Sequence, residues 1–173
     1  MWCEAEAAQK LEAAGIAGRR RQELIPCPAL AIWTTPPGPS ELQAALKQTD
    51  PEVVFLFGVD PEMADRGMFL KRLAALVKYA LNNQDGQADL QKLAAATAQG
   101  EFTVRTGLEC LAARGDVKII SEEHGHLTLT TGNHTRSDEI ERTAKNLKDQ
   151  LEETAAYRTY FNKADKAQFI NMS

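Results

Sequence analysis

Three histidines, the only ones in the chain, lie close together at His124, His126 and His134. A His-x-His pair at the end of a strand, with a third His nearby, could bind Zn²⁺ through imidazole nitrogens. The preceding Glu122 and Glu123 could in principle exchange protons with a substrate. A polar hairpin tip that happens to contain histidines is the simpler interpretation, because no nucleophile, glycine-rich phosphate loop or helically spaced carboxylate pair accompanies them. We therefore predict no catalytic residue, no metal site and no cofactor in this chain.

A second set of side chains has the chemistry to contact nucleic acid. In the predicted helix 101–115, Thr103, Arg105 and Thr106 are expected on an exposed face, with Arg114 at the helix end. Arginine guanidinium groups pair with phosphate oxygens or with guanine, and threonine hydroxyls can add backbone contacts. Basic residues on the outward face of an earlier predicted helix could extend this surface. The predicted nucleic-acid-binding residues are Arg105, Arg114, Thr103, Thr106, Lys71 and Arg72.

The elements that must position these side chains form a specific order between residues 68 and 131. Apolar residues at helical spacing predict helices over 68–81, 88–98 and 101–115, and the apolar pattern then changes to a period of two. Two strands, 117–121 and 127–131, flank the hairpin-like EEHGH. Three helices followed by a hairpin are typical of a winged helix-turn-helix. In such a domain the third helix enters the major groove of DNA and the wing contacts the flanking backbone.

The first 60 residues predict a different architecture. A helix over 4–15 is followed by a buried strand (29–33), a helix (41–48) and a second buried strand (53–58). Strand, helix and strand make one right-handed βαβ unit. Two parallel strands do not make a stable sheet by themselves. The unit is therefore expected either to complete its sheet with a partner or to belong to a longer polypeptide, and we favour the second alternative.

Residues 135–173 predict a final helix and a tail. The apolar line along residues 137–161 is narrow for so long a helix. This helix is expected to pack on the body, on a symmetry mate or on a missing neighbour. The predicted fold class is α/β (α+β), with a βαβ unit in 1–60, a winged-helix domain in 61–134 and a C-terminal helix in 135–173.

Charge and cysteine content narrow the function classes. The net charge is −4. Between residues 62 and 131 eight basic residues face nine acidic ones, so the winged region lacks the basic footprint of an autonomous DNA-binding domain. Three scattered cysteines, Cys3, Cys27 and Cys110, indicate a reducing cytoplasm. The sequence contains no apolar run near the ~20 residues that a membrane span requires, so no membrane partner is expected.

Several phrases of the sequence resemble a known family. They are WTTPPGPSEL (33–42), VFLFG (54–58), FLKRLAALVKYAL (69–81), EFTVRTGLECLAARG (101–115) and AAYRTYF (155–161). Together they resemble the carboxy-terminal region of bacterial RecJ single-stranded-DNA-specific exonucleases, over most of the chain after residue 30. The nuclease core of that family is a DHH phosphoesterase, whose Asp and His clusters hold two divalent metals. This chain contains neither an Asp-His-His triplet nor a GGGH-like segment, so the resemblance implies an accessory part without the active site.

Two principal function classes follow from the sequence. In the first, the chain is a non-catalytic accessory module of a single-stranded-DNA exonuclease in DNA repair and recombination. Its partners would be single- or double-stranded DNA, bound weakly by the chain alone, and the remainder of the exonuclease or a repair protein. In the second, the winged helix is a protein-interaction or dimerisation module without direct DNA contact, which could form a homodimer with the long final helix as the contact surface. A transcriptional regulator with a sensor half is a third, lesser alternative.

Overall fold

The computed structural model describes residues 1–164, which form two compact units. Unit 1 comprises residues 1–62 and 153–164, and unit 2 comprises Met63–Glu152. The fold is a mixed α/β arrangement of helices with two small sheets. The helices are α1 (Ala7–Ala13), α2 (Pro39–Thr49), α3 (Arg66–Asn83), α4 (Leu90–Thr97), α5 (Glu101–Ala113) and α6 (Ser137–Lys163). The strands are β1 (Ala29–Thr34), β2 (Val53–Val59), β3 (Gln87–Asp89), β4 (Val117–Glu123) and β5 (His126–Thr131).

Unit 1 contains the predicted βαβ unit. Strands β1 and β2 pair in parallel, with Ala29 opposite Val53, and α2 connects them. Helix α2 begins at Pro39, where the missing amide hydrogen costs nothing because the first turn of a helix has no acceptor for it. The buried face of this sheet packs into a core whose members are Trp2, Leu24, Leu30, Ile32, Leu42, Ala45 and Phe161.

The N-terminus of unit 1 departs from the sequence prediction. The predicted helix 4–15 is present only as α1, because the residues before it run alongside β1. The Trp2 amide donates to the Ala31 carbonyl at 2.8 Å, and the Trp2 carbonyl accepts from the Trp33 amide at 2.9 Å. Trp2 is fully buried. A single bridge residue leaves no periodic pattern, so the sequence could not reveal this pairing.

Unit 2 contains the other predicted helices and the hairpin. Its sheet is antiparallel in the order β3–β5–β4. Ala88 lies opposite Leu127 in strand β3. The sequence did not predict this strand, because residue 88 was expected at the start of a helix. The helix begins at Leu90 instead, and the Asp89 carboxylate caps it by accepting from the Lys92 amide at 2.9 Å.

Two turns in unit 2 agree with their sequence signals. Gly115 follows helix α5 with φ +81°, the left-handed conformation in which a glycine commonly ends a helix. His124 and Gly125 connect β4 to β5 with φ of 52° and 83°. Positive φ at both central residues is typical of the type I′ turn that closes tight hairpins. The predicted hairpin at EEHGH is therefore confirmed.

The last helix is divided between the two units. The predicted helix 137–161 is present as α6. Its Leu147 and Leu151 belong to the core of unit 2, and its Phe161 belongs to the core of unit 1. The sequence had instead predicted that residues 135–173 form a separate segment. Residues 165–173 of the predicted tail lie outside the described part of the chain. Across residues 1–164, no helix is long and apolar enough to cross a membrane.

Candidate nucleic-acid interface

Helix α5 does not expose the threonines predicted to contact DNA. Thr103 and Thr106 are only 6% and 5% exposed, so the prediction that they lie on an exposed face is wrong. The Thr106 hydroxyl donates to the Phe102 carbonyl at 3.2 Å and accepts from the Gln150 amide at 3.0 Å. Gln150 lies on α6, whose first part packs in unit 2. Because both side chains are buried, and the Thr106 hydroxyl is already bonded to Gln150, neither threonine can reach a nucleic acid.

Arg105 is on the partly exposed side of α5, but a carboxylate already engages it. Its Nε donates to Glu122 Oε2 at 3.1 Å, and its Nη2 donates to Glu122 Oε1. Glu122 lies on β4, so this forked pair joins the helix to the hairpin. The hydrogen bond raises the pKa of Arg105 and lowers the pKa of Glu122. A phosphate at Arg105 would have to compete with the Glu122 carboxylate for the same guanidinium charge.

The rest of the exposed strip of α5 is apolar or acidic. Phe102 is 67% exposed, and Glu101 and Glu109 are exposed on the same helix. Carboxylates repel the phosphate backbone, which dominates the affinity of nucleic-acid binding. This strip therefore has a composition poorly suited to phosphate contact, and better suited to a protein surface.

Two predicted residues do come together, in a cleft at another place in unit 2. Lys71 of α3 and Arg114 at the end of α5 line one cleft of ≈ 900 Å³. Arg66, at the start of α3, and Lys148, on α6, line it as well. We call this feature, defined by Arg66, Lys71, Arg114 and Lys148, the cation cleft. Its apolar floor includes Leu70, Ala74, Leu111 and Leu151.

Three carboxylates also line the cation cleft, and two of them have partners. Asp65 accepts from the Met68 amide at 2.8 Å as the N-cap of α3. Glu152 lies 3.6 Å from the Lys148 ammonium. Asp116 is the third. The four cations exceed the three acids by one charge, so the cleft attracts anions only weakly. This attraction decreases as the salt concentration rises.

The sequence missed two members of the cleft and misplaced one. Arg66 and Lys148 were not among the predicted site residues, since they lie far apart in the chain and only packing brings them together. Arg72 was predicted at the site, but it is half-buried on α3 and does not line the cleft. The one local signal for Arg66 was its position directly after Asp65, which caps the helix.

The three histidines do not form a ligand set. In the part of the chain that the structure describes, no group of three His, Cys, Asp or Glu side chains is placed to hold a metal ion. His126 Nδ1 instead lies 3.6 Å from the Asp89 carboxylate. His124 is exposed in the hairpin turn.

A scan against protein-family models, and searches of curated proteins and of solved structures, found no match to this chain.

Proposed function

We propose that this chain is a non-catalytic accessory module of a RecJ-type single-stranded-DNA exonuclease, acting in the cytoplasm in DNA repair and recombination. Unit 2 is then a winged-helix module that holds the phosphate backbone in the cation cleft. The order α3, β3, α4, α5, β4, β5 supports the winged-helix assignment. The sequence resemblance supports the link to a DNA-processing enzyme.

One observation favours the cation cleft over helix α5 as the surface that contacts DNA. Lys71 and Arg114 were singled out from the sequence, and they share a cleft with Arg66 and with Lys148, which is paired with Glu152. Arg105, by contrast, is held by Glu122, and the threonines are buried. Backbone contact by ammonium and guanidinium groups is independent of base sequence. The proposed module therefore holds a strand without reading its sequence, and it needs the rest of the enzyme for tight binding.

A salt titration tests this proposal. Fluorescence anisotropy of a labelled oligo(dT) and of a labelled duplex would be measured with the full chain at low and at moderate salt. Lys71→Glu and Arg114→Glu should each weaken binding by about tenfold at low salt and flatten the salt dependence, because each removes a phosphate partner. Lys78→Glu is the matched control, since Lys78 is exposed on the same helix but does not line the cleft.

The result that contradicts the proposal is equally defined. Equal losses for Lys71→Glu and Lys78→Glu would show that only net charge matters. Undetectable binding by the unmodified chain at low salt would remove the DNA-binding role of this chain.

A protein-interaction role is the second candidate for unit 2. The observation in its favour is the exposed strip of α5, where Phe102 shares the helix surface with Glu101 and Glu109. Exposed aromatic side chains are enriched in protein interfaces. Light scattering measures the mass of the unmodified chain and of Phe102→Ser in solution. A dimer that Phe102→Ser converts to a monomer would show self-association through this strip.

A further inference from the structure

Within the described residues 1–164, one face of the two-stranded sheet of unit 1 carries apolar side chains that are largely exposed. Along β2 the side chains alternate, and Val53, Phe55, Phe57 and Val59 are 49%, 54%, 56% and 42% exposed. Trp33 of β1 shares this face, with its ring centroid 5.1 Å from that of Phe57. We call the surface defined by these five side chains the apolar sheet face. Parallel sheets are normally covered on both faces, so a parallel pair with one open apolar face is an incomplete layer.

The size of this face limits what can cover it. Seven strand residues extend roughly 20 Å, and two strands are about 10 Å wide. A footprint of roughly 200 Å² is well below the ~800 Å² per partner that stable protein dimers bury. The face is therefore too small to hold two copies together by itself, and any occupant needs additional attraction at the edges of the face. A single helix of about 13 residues would span the same 20 Å and cover it fully.

The charges at both ends of β2 define the chemistry of the covering segment. Asp50 and Glu52 precede the strand, Asp60 and Glu62 follow it, and all four are exposed. Between Leu24 and Glu62 the only basic residue is Lys47, and the buried Arg158 of α6 offsets part of the charge of Asp60. A second copy pairing along β2 would place acidic ends beside acidic ends in either direction, and like charges in register destabilise strand pairs. A segment with Lys or Arg at both ends meets opposite charge instead.

We propose that the apolar sheet face of unit 1 docks an amphipathic helix of a separate partner protein, about 13 residues long, with an apolar stripe and basic ends. Phe55, Phe57 and Trp33 receive the apolar stripe of this helix. The flanking carboxylates select its basic ends and set its position along β2. Helices that bind apolar surfaces in this way use anchors at i, i+3 or i+4, and i+7. This surface is independent of the cation cleft and of the proposed DNA contact.

Peptide binding to the full chain tests the proposal. The probe is a synthetic fluorescein-labelled helix of 18 residues with leucines on one face and lysines at both ends. A matched peptide carries glutamates at the ends and the same leucines. The basic-ended peptide should bind at least tenfold more tightly than the acidic-ended one, and the difference should shrink at high salt because the end charges are exposed.

Point variants locate the binding surface. Phe57→Ser and Phe55→Ser should each weaken binding of the basic-ended peptide about tenfold, since each removes an aromatic anchor. Tyr79→Ser, which alters an exposed aromatic side chain on α3 of unit 2, should leave it unchanged. Circular dichroism confirms that the variants fold, and unchanged oligo(dT) binding by Phe57→Ser keeps this test separate from the DNA proposal.

Four results would overturn the proposal. The first is absence of binding by the basic-ended peptide, and the second is equal affinity for both peptides. The third is a dimer that Phe57→Ser converts to a monomer, which would assign the face to a second copy. The fourth is pelleting with phosphatidylcholine vesicles that Phe57→Ser abolishes, which would assign the face to a lipid surface.

Discussion

Replacement of the buried Glu4 should destabilise unit 1 more than any surface change. The Glu4 carboxylate is 2% exposed and accepts from Arg21 at 2.6 and 2.5 Å and from the Trp2 indole at 2.9 Å. The Glu4 amide also donates to the Thr34 hydroxyl at 3.0 Å, next to the sheet. These contacts hold the first residues of the chain against β1. The same residues therefore support the apolar sheet face.

The expected loss of unfolding free energy follows from the burial of the Glu4–Arg21 ion pair. Glu4→Ala leaves a largely buried guanidinium and a buried indole N–H without this acceptor, and breaking a buried ion pair costs about 3–5 kcal/mol. Glu4→Gln keeps an acceptor for Trp2 but removes the charge, so a loss of about 1–3 kcal/mol is expected. With a denaturant slope of about 1.5 kcal/mol per molar urea, Glu4→Ala lowers the unfolding midpoint by roughly 2–3 M.

Tryptophan fluorescence during urea unfolding measures this effect directly. Both tryptophans of the chain, Trp2 and Trp33, lie in unit 1, so the signal reports that unit and not unit 2. A double-mutant cycle with Arg21→Leu isolates the coupling between the two side chains. Additive losses in the cycle, or a loss below about 0.5 kcal/mol for Glu4→Ala, would refute the buried-pair argument.

Two further predictions concern the ion pair on the hairpin and the thiols. Glu122→Gln should lower stability at pH 7 by less than about 1 kcal/mol, because both side chains are partly exposed. Because Arg105 lowers the pKa of Glu122, this contribution is present above the unfolded value of about 4.3 and disappears as pH falls through the lower folded value. The melting temperatures of the unmodified protein and of Glu122→Gln should therefore converge in acid. A difference between them that persists below pH 3 would contradict the ion pair between Arg105 and Glu122. Burial raises the pKa of Cys110, so a disulfide reagent at pH 8 should label it at least about tenfold more slowly than the half-buried Cys27 until denaturant is added. Equal labelling rates in the native protein would show that the core around α5 is open.

The local sequence was sufficient for most of the elements. Helix α3 extends the predicted 68–81 by two residues at each end, and α6 covers the predicted 137–161. Such helices are determined by apolar spacing and caps within a few residues of each other. The hairpin turn was equally local, since a glycine beside a residue that tolerates positive φ is enough to predict it. The number of predicted strands also indicated that the βαβ sheet is incomplete, because two parallel strands do not make a stable sheet by themselves.

Tertiary packing alone decided which side chains are available for binding. Helical spacing placed Thr106 and Arg105 side by side, but it could not reveal that α6 covers the threonine or that β4 supplies Glu122 to the arginine. The cation cleft has the same origin, because Lys148 meets Arg114 only when α6 packs in unit 2. The sequence by itself thus determined the elements and their order, since those depend on neighbours along the chain. The candidate binding surfaces depend on contacts between residues far apart in sequence, and those exist only in the folded protein.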